Sequence, residues 1–291
     1  MHATTLVSID GQLLSAKDAK ISVFDRGLLY GDSVFETIAT HGGRPFMLDE
    51  HLRRLRRSAE LVYIDLPVDE ATLKREINEA VAAAGHPESY LRLIITRGVG
   101  DLGLDPALSE RPCRILIVAP LQRPASEVYK SGVGVITYRT QRTAESTEAS
   151  GAKVGNYLVA VLAMRQAKAV SANEALIVNG QGRAIEGATS NLFVKIRGRL
   201  VTPPDSAGIL AGITRQLVLE VAKRIGIGVS FETPTLEEVY AAEEVFITSS
   251  VREILPVVKV DAHTIGSGTP GRTFEQLWDG YQQLVREKMQ R

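Results

Sequence analysis

Four times in this chain an apolar run with strand alternation breaks at a glycine-bearing turn and is followed by a second such run. TLVSI and QLL flank Asp10-Gly11, and SVFETIAT meets RPFML across His41-Gly42-Gly43. EALIV faces RAIEG across Asn179-Gly180, and NLFVKI faces RLVT across Arg197-Gly198. Turn pairs of this kind favour the positive φ angles of a tight hairpin. Antiparallel sheet is therefore the framework that the rest of the chain must fit.

Helical patterns alternate with these hairpins. Residues 49–64 place Leu52, Leu55, Ala59 and Val62 at helical spacing, and residues 69–84 carry an Asp69 cap and a Gly85 stop. YLRLIITR, CRILIVAPL, GVGVITYRT and EEVFITSS read as further strands, and residues 156–170, 214–225 and 273–287 as further helices. Hairpins interleaved with helices predict an α+β fold. At 291 residues the chain is long enough for two domains. Residues 120–132, with prolines and small polar groups and no periodicity, read as a linker between domains at 1–119 and 133–291.

Composition excludes several classes. Apolar residues at 44% and charged ones at 23% suit a globular protein. Lys+Arg and Asp+Glu balance at 34 each, which argues against a nucleic acid or an anionic membrane as partner. Cys113 is the only cysteine, and no Cys/His spacing suggests a metal, so a reducing cytoplasm is the expected compartment. The opening MHATTLVSIDGQLL lacks a leader pattern, and no apolar run approaches membrane-spanning length. GVGDLG at 98–103 matches a dinucleotide fingerprint in form only. Pro106 and Pro112 follow without helical period, so it reads as a loop.

Two segments carry candidate chemistry. In ASGAKVGNYLVAVLAM, residues 149–164, Lys153 is the only charged side chain among small and apolar neighbours. Desolvation favours the neutral amine that a Schiff-base nucleophile needs, although a lysine stem can also snorkel from a helix entrance. In HLRRLRRSAEL, Arg53 and Arg57 point away from the apolar face while Arg54 and Arg56 sit at its borders.

KVGNY at 153–157 resembles the lysine motif of the class IV, or fold-type IV, pyridoxal phosphate (PLP) enzymes. These include branched-chain aminotransferases, D-amino-acid aminotransferases and aminodeoxychorismate lyases. The resemblance runs from about residue 21 to about residue 256. It includes YGDSVFETI at 30–38, HLRRL at 51–55, YLRL at 90–93, RGVGDLGLDP at 97–106, EALIVNGQGRAIEGATSNLF at 174–193, GITR at 212–215 and VFITSSVREILPV at 245–257. It implies a two-domain α+β enzyme of the D-amino-acid aminotransferase type, with PLP between the domains and a neighbouring subunit completing the site.

By that resemblance Lys153 carries PLP and later moves the proton between the substrate Cα and the cofactor's C4′. Tyr157 lies beside the cofactor. Glu186 pairs with the pyridine nitrogen and keeps it protonated. Arg54, the backbone amides of Ile213 and Thr214 at a helix N-terminus, and the Ser250 hydroxyl hold the phosphate. Tyr30, Tyr90, Arg92 and Val251 match the branched-chain pattern around the substrate carboxylate, and no Arg-x-His pair of the D-specific enzymes follows the YLRL strand. The implied reaction moves the amino group of an L-branched-chain amino acid to 2-oxoglutarate in a cytoplasmic homodimer or higher homo-oligomer. Two departures keep relatives in view. Thr37 stands where branched-chain enzymes have glycine and resembles the lyases, and SSVRE replaces the usual Gly-Thr-Ala turn, adding the charge of Arg252.

Overall fold

The computed structural model describes residues 4–109, 111–140 and 149–290; residues 1–3 of the opening segment discussed above lie outside them. The chain divides into two compact units, residues 1–122 with 152–157 and residues 123–151 with 158–291.

The first unit contains β1 (Leu6–Ile9), β2 (Gln12–Ser15), α1 (Arg26–Tyr30), β3 (Ser33–His41), β4 (Arg44–Pro45), α2 (Leu48–Leu61), α3 (Glu70–Ala84), β5 (Ser89–Thr96) and β6 (Cys113–Pro120). Its strands pair antiparallel in the order β2-β1-β6-β5-β3-β4. Asp10 (φ 50°) and Gly11 (φ 88°) both take left-handed angles, as the first hairpin turn requires. Val34, Ile38, Leu91 and Leu93 pack one sheet face against Leu52, Leu55, Leu73 and Ile77 of α2 and α3. α3 begins at its Asp69 cap and ends at left-handed Gly85, as its sequence predicts. The return strand expected over 44–48 is only two residues long, because Met47 turns left-handed (φ 54°) and α2 starts at once. Residues 98–103 form a loop, with no helix to receive a dinucleotide.

The second unit contains α4 (Ser126–Ser131), β7 (Val133–Arg139), α5 (Leu158–Ala169), β8 (Glu174–Val178), β9 (Ala184–Gly187), β10 (Asn191–Ile196), β11 (Arg199–Thr202), α6 (Ile213–Arg224), β12 (Val229–Phe231), α7 (Leu236–Tyr240), β13 (Glu244–Ser249), β14 (Glu253–Val260), β15 (His263–Thr264) and α8 (Arg272–Met289). Its sheet runs β12-β11-β10-β13-β14-β7-β8-β9, with β15 on β14. The pairs β11/β12, β14/β7 and β7/β8 are parallel, so the sheet is mixed.

Two elements depart from the sequence reading. The segment 120–132 contains α4, whose Tyr129 ring packs 4.6 Å from Trp278. Six residues are too few for a helical period to show in sequence. β14 carries Pro256 in its interior, which argues against a central strand. Its ladder to β7 begins only at Val257, so Pro256 need supply no donor there.

Candidate active site

In the first unit the site is built on β3. Residues 153–155 pair with it as a short antiparallel segment, in which Val34 bridges Val154. The Phe35 amide donates to the Lys153 carbonyl (2.9 Å) and the Gly155 amide to the Ser33 carbonyl (2.7 Å). The Lys153 amide donates to the buried Ser58 hydroxyl of α2 (3.0 Å). Gly155 permits this approach, since a Cβ there would stand 2.1 Å from Ser33 Oγ. The lysine main chain is thus fixed by a strand and a helix together.

Its half-buried side chain lies against aromatic groups. Lys153 Nζ is 3.3 Å from the Tyr157 hydroxyl and 4.6 Å from the centre of the Phe35 ring. Phe35 and Tyr157 meet edge to face at 5.0 Å. The Arg92 guanidinium sits 3.9 Å from the centre of the same Phe35 ring, a cation–π geometry. Strand alternation explains the grouping. Phe35 and Thr37 share one face of β3, Arg92 stands opposite Thr37 in register, and Tyr90, two residues before Arg92, shares its face of β5. Two residues singled out from the sequence, Lys153 and Arg92, therefore meet the same Phe35 ring, and Thr37 and Tyr90 lie on the sheet face that carries it. Tyr30 ends α1, where its hydroxyl accepts from the Gly103 amide (3.1 Å).

The opposite face of β3 holds a charge network. Arg54 donates through Nε and a terminal nitrogen to the two oxygens of Glu36, each at 2.7 Å, and His51 Nδ1 meets the same carboxylate at 2.7 Å. Glu36 is fully buried. Burial alone would raise its pKa, but the charge and hydrogen bonds of Arg54, helped by His51, lower it from 4.5 to about 2. His51 is pushed below its ordinary 6.5, chiefly by burial, with Arg54 and Lys153 adding repulsion and Glu36 opposing. The carboxylate is anionic and the imidazole neutral at pH 7. Arg56, the other border arginine, pairs instead with Glu70 at 2.5 Å.

The second unit carries the remaining candidates. Glu186, half-buried on β9, accepts from the Leu210 amide at 3.2 Å. Ile213 and Thr214 open the twelve-residue α6, whose Gly212 cap makes no side-chain hydrogen bond and whose first turn has no acidic residue. Its amino end thus presents amides and a positive dipole end, the features that bind an anion. A Cβ on Gly212 would stand 1.8 Å from Asn191 Oδ1, so glycine is required there. Arg215 of the GITR motif bonds Thr202, Pro203 and Asp205 instead, and so serves the fold. Ser250 and Val251 form the tip of the turn between β13 and β14.

Sequence reasoning missed Phe35, Glu36, His51 and Ser58. The four-residue step from Arg54 to Ser58 on one helix face was the available signal. Among the described residues no acidic, His or Cys cluster could hold a metal, and no helix is long and apolar enough to cross a membrane.

A PLP-type cofactor needs an amine, an aromatic surround, a carboxylate and an anion cradle. In the first unit Lys153, against Phe35 and Tyr157, is a candidate for the amine and its aromatic surround; in the second unit Glu186 is a candidate carboxylate and the start of α6 a candidate anion cradle. Residues 33–260 match the family described as amino-transferase class IV, and the chain is a member of that family, an aminotransferase-class enzyme. Over 96% of both chains it is 38% identical to a Methanocaldococcus jannaschii protein provisionally named a branched-chain-amino-acid aminotransferase. It is 34% identical, over 96% of each chain, to the D-alanine aminotransferase of Bacillus licheniformis. The structure of the T.th. branched-chain amino acid aminotransferase with pyridoxamine 5'-phosphate superposes with a TM-score of 0.90 at 31% identity, covering 97% of this chain and 94% of that one.

Proposed function

We propose that this protein transfers the amino group of an L-branched-chain amino acid to 2-oxoglutarate, using PLP attached to Lys153. The observation that carries the reading is the placement of Lys153 Nζ beside the Phe35 ring and the Tyr157 hydroxyl, on a main chain pinned by Ser58 and β3. When bound, PLP supplies the electron sink that lets a Cα–H bond of the amino acid break.

The side chains of this protein do the rest. Lys153 anchors the cofactor and afterwards, as a free amine, holds and moves the Cα proton, with the Tyr157 hydroxyl within hydrogen-bond reach at 3.3 Å. Glu186 keeps the ring nitrogen protonated. Arg54, its fork oriented by Glu36, joins the Ile213 and Thr214 amides and the Ser250 hydroxyl on the phosphate. Arg92, steadied over Phe35, takes the substrate carboxylate with Tyr30, Tyr90 and the turn at Ser250 and Val251, while Thr37 lines the pocket.

Exposed apolar side chains on the first unit support a homodimer or larger assembly. They include Val23 (67% exposed), Leu28 (59%), Leu102 (68%) and Leu104 (80%). A cytoplasmic setting fits the lone Cys113.

The likeness to a D-alanine aminotransferase makes the donor's handedness the second reading. Incubation with L-leucine, D-alanine and aminodeoxychorismate in parallel, each with 2-oxoglutarate, separates the options. L-leucine should be consumed fastest with glutamate formed. Preferential use of D-alanine, or release of pyruvate from aminodeoxychorismate, would replace the proposal.

A further inference from the structure

Arg252, the charge that distinguishes the SSVRE turn, does not stand alone. One of its terminal nitrogens lies 2.5 Å from Glu174 Oε2 and 2.7 Å from Thr189 Oγ1. Its Nε and its amide both reach Ser249 Oγ, at 3.4 and 3.3 Å. Glu174 opens β8 and is fully buried, where a carboxylate is costly unless it is paired and hydrogen-bonded. The same Oε2 accepts from Thr189 Oγ1 (2.8 Å) and meets Ser190 Oγ (3.5 Å), while Oε1 accepts from the Ala175 amide (3.2 Å).

One buried carboxylate therefore grips two separate turns. The first, residues 188–190, joins the end of β9, which carries Glu186, to β10 and is also held by the Ala188 amide on the Ala175 carbonyl (2.8 Å). The second, residues 249–253, has Ser250 and Val251 at its tip. Its far side is fixed by Arg123 on Glu253 (2.5 Å) and by the Tyr129 hydroxyl on the Arg252 carbonyl (3.2 Å). Glu253 itself takes a left-handed φ of 57°, a strain that such clamping sustains. Arg252 is thus engaged inside the fold and is not a free cation offered to substrate.

We propose that Glu174 is a positioning residue, whose strap through Arg252 and Thr189 sets the turn after Glu186 and the Ser250–Val251 turn relative to each other. This rests on the proposed function, which gives Glu186 the ring nitrogen and the second turn the phosphate and substrate carboxylate. Loosening the strap disturbs both ends at once, although Glu174 touches neither ligand.

The test uses full-length protein loaded with PLP and three variants, Thr189→Val, Glu174→Gln and Glu174→Gln/Arg252→Gln. Thr189→Val removes one bridging hydroxyl and leaves the ion pair, so it should fold. Losing a hydrogen bond of about 0.5–1.5 kcal/mol corresponds to roughly a twofold to tenfold effect. KM for L-leucine and Kd for the non-reacting acid 4-methylvalerate should rise by that factor, and the visible band of bound PLP should shift. Glu174→Gln should show larger changes of the same kind with a lower Tm. The double variant removes the charge imbalance and should recover Tm while KM and the band stay altered. Variants that lower Tm but leave the band, KM and 4-methylvalerate binding at wild-type values overturn the strap and leave the proposed function standing. A wild-type protein that binds no PLP overturns the function and the strap with it.

Discussion

The two units provide candidate groups in different ways. In the first, they are side chains on regular faces: Phe35 with Thr37 and Tyr90 with Arg92 follow strand alternation, and Arg54 with Ser58 follows one helical turn. In the second, several are backbone amides and turn positions, at the start of α6 and between β13 and β14. A side chain can be removed by substitution, whereas an amide can only be displaced through residues that shape its turn. The first half should therefore fail one group at a time, and the second through changes of geometry.

The largest effect tests the first half. Lys153→Ala should abolish both turnover and the visible band of the bound cofactor, read by absorbance after reconstitution with PLP. A variant that transaminates at a normal rate would remove Lys153 from the reaction.

The next pair tests one proposed phosphate-binding element from each unit. A charge-assisted contact with phosphate contributes about 1.5–3 kcal/mol, so Arg54→Ala should weaken PLP affinity about tenfold to more than a hundredfold. It also leaves the buried Glu36 carboxylate with only the neutral His51, and breaking such a buried pair costs about 3–5 kcal/mol of stability. The double variant Glu36→Gln/Arg54→Met should recover Tm without recovering PLP retention. In the second unit Gly212→Ala removes no contact group, yet its Cβ would collide with Asn191 Oδ1 and shift the amides. Overpacking of about 1–3 kcal/mol predicts a weakening of PLP binding within a similar range. Unchanged dialysis rates for Gly212→Ala would place the phosphate elsewhere.

The contrast in legibility has a physical origin. Local signals resolved α3, with its Asp69 cap and Gly85 stop, and the strands that carry Thr37 and Arg92, while their register across β3 and β5 came only with the fold. They did not resolve β14, where Pro256 masks a strand whose neighbours come from distant sequence. In the first unit Ser58 and Lys153 are 95 residues apart, and in the second Arg252 and Glu174 are 78 apart. Neither partnership has a periodic signature. Arg252 read from sequence as a charge added near the pocket, because its buried partner was invisible there.

Acid should affect the first unit through Glu36 and His51. Glu36 titrates at about 2 instead of 4.5, and His51 below 6.5, so the folded state binds fewer protons than the unfolded chain. Stability then rises with pH across that window. The Glu36 contribution is fully present above 4.5 and is lost as pH falls towards 2, while that of His51 is lost on acidification below 6.5. Thermal unfolding between pH 2 and 8 should show this acid limb, and it should flatten in Glu36→Gln. An unchanged limb in the variant would assign the acid sensitivity to other groups.

The smallest effect is expected at Thr37, which stands opposite Arg92 in the β3/β5 register and so lies closest to the choice between transaminase and lyase. If Arg92 governs carboxylate binding, removing the neighbouring hydroxyl changes little. Glycine weakens a strand interior by roughly 0.5–1 kcal/mol, so Thr37→Gly should lower Tm slightly. KM for L-leucine should stay within about threefold of wild type, since a loss at the low end of the hydrogen-bond range is worth no more. Arg92→Ala should instead raise KM for L-leucine and 2-oxoglutarate together, because both present a carboxylate beside the reacting carbon, and should spare an amine without one. Wild type that releases pyruvate from aminodeoxychorismate, leaves L-leucine untouched and loses that release in Thr37→Gly would reverse the two roles. The hydroxyl would then be the working group on this face of β3, with Arg92 only its neighbour across the strand pair.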